Sequence, residues 1–422
     1  MIPSLSRIIL SSFPFLLITG PFLSDFFLII FGMISIYLFS ISNKLDNFRI
    51  IILSYIFWLL YLIIRSLTSS DPLLSFESSL FYFRFGLLVL GVYLLLENNF
   101  KKTMDSFLIT LNFIFLILCL DVIRETIFGI NIFYYFGYMD YFKFSESQTS
   151  GLFGDRRVLG GFVSRFLPII YLSIIYFKKI KYKKLYHLSI IIFFASIYSI
   201  IVSGERSAII NTLFILVFIL IFSNIKFIYK LLIPLFSILG VYIFFQFNTL
   251  IKYRIFDLTQ GQINTNFNNI LELSRSHEYI YKAAFEIFQN NFIFGIGPKL
   301  FRVHCSYTNF PNGCSTHPHH SYLQLLSEVG ILGAAPVILL ILYVIYKLID
   351  EFICVYFFKK NKLCKFELIF LLSIFINLNP LIPAGNFFNN WLSFLYYLPF
   401  GFVIYFSKNR DRFYNFFSAD KS

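Results

Sequence analysis

Long apolar runs, interrupted by short clusters of charge, are the feature that most constrains this chain. A hydrocarbon core about 30 Å thick requires about 20 apolar residues in each helix that crosses it. Cutting the sequence at its charged and Gly/Pro/Asn-rich clusters predicts twelve spans: 6–20, 22–42, 48–66, 80–97, 106–127, 158–177, 186–203, 207–223, 228–247, 322–347, 366–383 and 389–407. We therefore expect an all-α fold, a polytopic bundle of transmembrane helices.

Composition excludes the main alternative, a water-soluble enzyme. Hydrophobic residues make up 58% of the 422 residues and charged residues 14%, and the mean hydropathy is +0.75. Soluble domains are about 45–50% apolar and about 25% charged. The chain is therefore expected to lie in a membrane.

The net charge of +13 raises two possible partners, nucleic acid and a membrane surface. Most Lys and Arg residues fall on alternate connections such as 178–184 and 359–365, whereas the short connections 203–206 and 380–389 hold almost none. The positive-inside rule then places both termini in the cytoplasm. Because the basic residues follow the topology and form no single patch, we expect no nucleic-acid partner.

Two connections are long, and this topology places both of them on the outer side of the membrane. The predicted organisation is N-terminal spans at 1–127, a first periplasmic loop at 128–157, central spans at 158–247, a large periplasmic loop at 248–321, and C-terminal spans with a cytoplasmic tail at 322–422. We expect short amphipathic helices in these loops. Twelve spans also suit a transporter, so topology alone names no function.

The first element of the large loop with candidate functional residues is a predicted amphipathic helix at 274–289. Its apolar side carries Ala283, Ile287 and Phe288, and its polar side carries Arg275, Tyr279, Lys282 and Glu286. His277 is about 200° around the helix from Arg275. Both side chains face one ligand only if the helix starts after them.

Two cysteines share the same loop with eight residues between them, Cys305 and Cys314. Because the outer compartment is oxidising, a disulfide is the first expectation. The alternative is a zinc site formed with His317 and His319, although the cysteine spacing is not that of a usual zinc knuckle. We expect no metal ion.

A glycine-rich turn, Gly295-Ile296-Gly297-Pro298, precedes Lys299. Glycines let backbone N–H groups approach an anion closely. A tight turn without a ligand is the alternative interpretation.

Next in the chain is His317-Pro318-His319-His320, directly before a predicted span. Proline suits the first helical position, so we expect His319 and His320 in the first turn. The positive end of the helix dipole lowers a histidine pKa, which would keep His319 neutral, as a general base must be. An interfacial histidine cluster without chemistry is the alternative.

Arginines at the outer ends of spans suggest the ligand. Arg206 lies in the short connection Ser203–Ser207, and further candidates are Arg156, Arg157, Arg165 and Arg302. Guanidinium groups suit bidentate binding of phosphate oxygens. An ion pair with Glu205 or interfacial anchoring is the alternative for Arg206. With a neutral histidine beside them, such arginines fit an anionic amphiphile, such as a lipid-linked diphosphate.

These motifs resemble the superfamily of O-antigen ligases and O-antigen polymerases, bacterial membrane glycosyltransferases, from about Ser150 to Gly333. The family pattern is a histidine, then Asn, Ser or Gln, then nine residues and G-x-x-G. Counting back from Gly330-Ile331-Leu332-Gly333 places the family histidine on His319, and His320 stands where the amide or hydroxyl is usual.

The other family motifs are matched more loosely. The stretch Gly204–Ser207 resembles the first arginine motif, and 275–301 resembles the second, where either Arg275 or His277 holds the arginine position. The run 151–155 is similar to a subgroup signature, but an arginine pair follows where an acidic or neutral residue is expected.

The resemblance implies a GT-C-like membrane enzyme in the bacterial inner membrane with its active site facing the periplasm. It implies transfer of a glycan from undecaprenyl diphosphate to a sugar hydroxyl of lipid A-core, with inversion and without a metal or other cofactor. Catalytic roles fall to His319, Arg206 and Arg275. Candidate substrate-binding residues are Arg156, Arg157, Arg165, His277, Gly295, Gly297, Lys299, Arg302, His317 and His320.

Two alternatives stay open at this point. A polymerase of the same superfamily would use a second lipid-linked repeat unit as acceptor. A transporter or flippase for the same lipid-linked glycan would share the topology and the arginines but would need no general base.

Overall fold

The computed structural model describes residues 2–42, 49–129, 149–154, 156–223, 275–310 and 312–418, with isolated positions at 132, 226, 228–230, 232, 252 and 253. Within these ranges the regular structure is helical and no strand occurs. The expected all-α class is therefore confirmed.

Helices follow the apolar runs closely. In chain order they are α1 (Ile2–Thr19), α2 (Pro21–Ser40), α3 (Arg49–Leu67), α4 (Pro72–Ser79), α5 (Phe83–Phe128), α6 (Leu159–Lys179), α7 (Lys183–Ser203), α8 (Arg206–Phe222), α9 (Arg275–Asn290), α10 (Phe301–His304), α11 (Ser321–Phe357), α12 (Lys365–Asn377), α13 (Asn390–Lys408) and α14 (Arg410–Ser418). Single 3₁₀ turns lie at Gly151–Phe153 and Cys305–Tyr307.

Seven helical stretches of the described chain are long and apolar enough to cross a membrane. They are α1, α2, α3, the stretch Pro72–Phe128, α6, α7 and α11. The predicted spans at 80–97 and 106–127 both lie in α5, which loses helical geometry at Asn99 (φ −157°, ψ 91°). The predicted span 228–247 lies outside the described residues except for a few positions, so the count of twelve stays a prediction.

The chain divides into two compact units. The first comprises Met1–Phe107, Asn269–Ile349 and Leu363–Ser422, and the second comprises Leu108–Asn268 and Asp350–Lys362. The histidines of the large loop belong to the first unit. Arg156, Arg157, Arg165 and Arg206 belong to the second.

In the first unit, α9 is the predicted amphipathic helix. Ile280, Ala283, Ala284 and Ile287 are buried at the i, i+3, i+4, i+7 spacing of one helical face. This face packs against Ile296, Leu300, Phe301 and Cys305 in one small core. The core fixes the segment that carries the glycine turn to the helix that carries His277.

In the second unit, α6 packs against α7 and α8. A glycine is required at position 160, because a Cβ there would lie 2.4 Å from the Ser203 Oγ and 3.1 Å from the Ala208 Cβ. This close approach brings the start of α6 to the connection between α7 and α8, where Glu205 and Arg206 lie.

Candidate active site

Three histidines of the first unit have their rings in contact, and we call His277, His317 and His319 the histidine cluster. The ring centroids of His317 and His319 are 4.1 Å apart, and those of His277 and His319 are 5.2 Å apart. Tyr281, one turn after His277 on α9, stacks on the His277 ring at 5.8 Å. The cluster therefore joins α9 to the loop that precedes α11.

His319 has an unusual backbone for a residue with a side chain, since its φ is +55°. Its carbonyl accepts a hydrogen bond from the Ala384 N–H at 2.9 Å, and its Nε2 lies 3.2 Å from the Ser315 Oγ. Left-handed conformations of non-glycine residues persist only where the surroundings impose them, and they cluster at functional sites. Among His317, His319 and His320, which end the loop, His319 is the one with a left-handed backbone.

The expectation that His319 and His320 occupy the first turn of the helix is wrong, because α11 begins at Ser321. The left-handed backbone of His319 interrupts any helix that starts at Pro318. The Gln324 N–H then donates to the His320 carbonyl, so His320 is the capping residue of α11.

Both ring nitrogens of His320 are used within the protein. The Leu323 N–H donates to Nδ1 at 3.3 Å, and Nε2 lies 3.2 Å from the Pro380 carbonyl oxygen. Because an amide N–H only donates and a carbonyl only accepts, the proton must be on Nε2 and the ring is neutral. Burial likewise lowers the pKa of His320. The residue caps α11 with its side chain and ties it to the chain near Pro380.

Burial lowers the pKa of two histidines of the cluster, His317 and His319. Burial lowers the pKa of His317 to about 4, with further lowering by His319, Arg302 and His277. Burial also lowers the pKa of His319, and His277 adds to the effect. The sequence predicted a neutral His319 from the helix dipole, whereas the structure shows burial and a neighbouring imidazole as the causes. His319 therefore has the protonation state that a general base requires.

Cys305 and Cys314 form a disulfide, with their Cα atoms 5.0 Å apart. The bond joins the turn after α10 to the loop that carries Ser315, His317 and His319. Because both sulfurs are consumed, the alternative of a zinc site with these cysteines is wrong. Across the described ranges, no group of three or more His, Cys, Asp and Glu side chains is arranged to hold a metal ion.

The two glycine motifs of the region contact each other directly. The Gly297 N–H donates to the Glu328 carbonyl at 2.7 Å, and the Gly295 N–H donates to the Asn291 carbonyl at 2.8 Å. At Gly295 (φ +67°), a Cβ would lie 2.5 Å from the backbone of Glu328 and of Gly330. The N–H groups that an anion site at these two glycines would need therefore donate inside the protein.

A buried carboxylate, Glu328, completes this junction. It accepts hydrogen bonds from the Lys299 N–H at 2.9 Å and from the Phe301 N–H at 3.3 Å. The Gln324 side chain donates to it at 3.0 Å. The Arg65 guanidinium adds two hydrogen bonds to the Gly295 carbonyl, at 2.8 and 3.2 Å.

Three residues of this region, Glu328, Arg65 and Tyr281, were not predicted from the sequence. A signal existed for Glu328, because an ionisable residue inside an apolar span is costly and is a functional candidate by default. The pairing of Arg65 with a turn more than 200 residues later had no such signal.

The remaining predicted residues of the first unit are spread around this junction. Lys299 pairs with Glu77 through its side chain, and Arg302 is exposed. Arg275 is the first residue of α9, and its side chain lies outside the described part of the structure. Both Arg275 and His277 therefore lie within α9.

In the second unit, Glu205 has a structural role. Its carboxylate accepts hydrogen bonds from the Gly160 N–H at 2.8 Å and the Gly161 N–H at 3.0 Å. These amides belong to the first turn of α6, so Glu205 caps that helix. The Arg165 guanidinium donates to the Gly161 carbonyl at 2.8 Å. Arg206 is exposed as the first residue of α8.

The end of the first long loop is held by another carboxylate. Glu125 of α5 accepts from the Gly151 N–H at 2.6 Å and from the Ser150 N–H at 3.3 Å. Arg156 and Arg157 follow this turn and are exposed. Asp155, the last residue of the predicted signature, lies outside the described residues.

Fold and site together define a multi-pass, all-helical membrane protein with a histidine cluster just before a long apolar helix. Residues 191–338 match the family model of the O-antigen ligase family. This segment contains Arg206, Arg275, the histidine cluster and the Gly330–Gly333 motif, and the match supports the O-antigen ligase superfamily. A search of curated proteins found no match.

Proposed function

We propose that the protein is a membrane glycosyltransferase of the O-antigen ligase type, which moves a glycan from undecaprenyl diphosphate to a sugar hydroxyl of lipid A-core. The observation that carries this proposal is His319, a neutral and partly buried imidazole held at φ +55° inside the matched segment. A transporter for the same lipid would have no use for a base prepared in this way.

The proposed reaction is a single displacement at the anomeric carbon. His319 takes the proton of the acceptor hydroxyl, the hydroxyl oxygen bonds to the anomeric carbon, and the bond to the diphosphate breaks. Attack from the face opposite the diphosphate inverts the configuration. Undecaprenyl diphosphate leaves, and the proton stays on the imidazole until solvent removes it.

Ser315 orients the base in this proposal. If the His319 Nε2–H donates to the Ser315 Oγ, which lies 3.2 Å away, the basic lone pair is on Nδ1. Burial, and after it the nearby His277, lowers the pKa of His319 and so disfavours a resting imidazolium. General base catalysis of this kind is typically worth about 10²–10⁴-fold in rate.

Arg206 and Arg275 bind the diphosphate in the proposal, and their guanidinium groups stabilise the charge that develops on the leaving group. With these cations present, the displacement needs no metal ion. Arg302, which is exposed and lies near His317, is available to the same polar head group.

The test is a chromosomal His319→Asn strain examined by a lipopolysaccharide gel and by an assay of lipid-linked glycan on each membrane face. Bare core with long lipid-linked polymer outside the cytoplasm is the result expected for a ligase. Core capped by a single repeat unit would indicate a polymerase, and glycan retained on the cytoplasmic face would indicate a flippase. An unchanged ladder at normal protein level would contradict the proposal.

A further inference from the structure

The side chain of Gln324, which the proposed reaction does not use, is a fully buried amide on α11, one turn after His320. Its Nε2 donates to the Glu328 carboxylate at 3.0 Å and to the Asn386 Oδ1 at 2.8 Å. Its Oε1 accepts a hydrogen bond from the Phe387 N–H at 2.8 Å. The amide nitrogen and the amide oxygen are therefore both used inside the protein.

The partners of Gln324 require an amide at this position. The Phe387 N–H only donates, so the amide oxygen must face it. The Asn386 Oδ1 already accepts from the Phe388 N–H at 2.9 Å, so the group that approaches it from α11 must be a donor. An ionised glutamate has the same length but presents only acceptors, and methionine presents no donor. Among side chains of this length, glutamine supplies both the two donors and the acceptor.

The buried amide attaches the connection between α12 and α13 to α11, because Asn386 and Phe387 both belong to that connection. We call residues 384–387 the supporting segment. At the other end of this segment, the Ala384 N–H donates to the His319 carbonyl at 2.9 Å. The amide therefore fixes one end of a short segment whose other end holds the backbone of the proposed base.

The backbone of His319 depends on such support. Its φ of +55° is a conformation that a residue with a Cβ keeps only where surrounding groups impose it. The Ala384 N–H supplies a hydrogen bond to the carbonyl of this strained residue. Release of the supporting segment would let His319 relax toward an ordinary φ, and its ring would leave its position 3.2 Å from the Ser315 Oγ.

We propose that Gln324 is a positioning residue of the transfer reaction, which holds the supporting segment on α11 and thereby keeps the imidazole of His319 in place. This inference rests on the proposed function, because it concerns the base of that reaction. Gln324 is fully buried, so it acts through Ala384 and the backbone of His319. Its loss should slow the chemical step and leave the binding of the donor unchanged.

A pair of variants on α11 tests this role by kinetics. Gln324→Met keeps the length of the side chain and removes its donors and its oxygen. Ser327→Ala is the matched control, because Ser327 is also fully buried on α11 but its hydroxyl donates within its own helix, to the Gln324 carbonyl at 3.1 Å. In nanodiscs, Gln324→Met should lower kcat on the order of 10²-fold, the effect of a misplacement of about 1 Å, with KM for the lipid-linked donor unchanged. Ser327→Ala should match the wild type.

Combination with His319→Asn separates positioning of the base from a general loss of structure. If Gln324 acts through the base, the double variant should transfer glycan at the residual rate of His319→Asn alone. A further loss by the same factor as in the wild-type background would assign Gln324 to the stability of the fold and would overturn the proposal. A rise in KM at unchanged kcat, or equal rates of Gln324→Met and Ser327→Ala, would overturn it as well.

A second measurement needs no transfer of glycan. Protein labelled with ¹⁵N-histidine is studied by NMR in nanodiscs, and the imidazole signals of His319 are those missing from His319→Asn. Gln324→Met should shift or split these signals, and Ser327→Ala should leave them in place. Unchanged His319 signals in Gln324→Met would refute the positioning role. If the signals shift but the wild type transfers no glycan, the proposed function fails and the support of His319 by Gln324 stands.

Discussion

Replacement of His319 separates the role of its imidazole from the role of its backbone. The residue combines a partly buried neutral ring with a φ of +55°, so a substitution changes two things at once. Three variants separate the effect of losing the imidazole from the effect of the backbone strain. His319→Ala removes the ring and keeps the backbone strain, His319→Gly removes both, and His319→Asn removes the base while asparagine tolerates the left-handed conformation.

The expected magnitudes differ between activity and stability. Loss of a general base should lower the transfer rate about 10²–10⁴-fold in all three variants, which is about 3–5 kcal/mol of activation free energy. A left-handed alanine costs about 1–2 kcal/mol relative to glycine. His319→Gly should therefore unfold at a higher temperature than His319→Ala, although both are inactive.

The assay is transfer of a purified lipid-linked glycan by protein in nanodiscs, measured beside thermal unfolding of the same samples. Inactivity of all three variants, with glycine more stable than alanine, supports the imidazole as the base. The reasoning would be refuted if the transfer rates of the variants ranked in the same order as their unfolding temperatures, with His319→Gly recovering much of the wild-type rate. His319 would then matter only for its backbone conformation.

Three further substitutions address other parts of the structure. Arg206→Lys should lose transfer about as fully as Arg206→Ala, because an ammonium cannot bind a phosphate through two parallel hydrogen bonds; a working lysine variant would show that charge alone suffices. His277→Gln removes a group that lowers the pKa of His319, so the base should protonate at higher pH and the acid limb of the pH–rate profile should move upward, whereas an unmoved limb would exclude the coupling. Gly295→Ala should destabilise the protein by more than about 2 kcal/mol, since its Cβ would meet the backbone of α11 at 2.5 Å. The control is Gly129→Ala, because Gly129 also has a left-handed φ but has open space where a Cβ would lie. If both variants lost the same free energy of unfolding, the backbone strain and not the steric contact would be the cause.

Hydropathy predicted most helices of this protein within a few residues, because a bilayer fixes the length of a span more tightly than packing does. The same argument fails where a helix continues beyond its apolar run. The predicted span ended at residue 347, but α11 continues to Phe357 through Asp350 and Glu351. Charged residues end an apolar run without ending the helical hydrogen bonds.

The candidate site was less predictable, because its geometry depends on partners far away in the chain. The left-handed backbone at His319 is supported by Ala384, 65 residues later. The glycines at 295 and 330 are needed because each approaches the backbone of the other segment. A spacing rule identifies such residues as unusual, but it does not reveal that two motifs contact each other.

His320 shows how the structure resolves an ambiguity of the sequence. Two adjacent histidines were candidates for one base, and the superfamily pattern has Asn, Ser or Gln at the second position. At this position the imidazole acts as an amide would, accepting from the Leu323 N–H through Nδ1 and donating to the Pro380 carbonyl through Nε2. A nitrogen that holds a helix cap has no lone pair left for a substrate proton, and the other nitrogen already carries one. This arrangement favours His319 over its neighbour His320 as the proposed base.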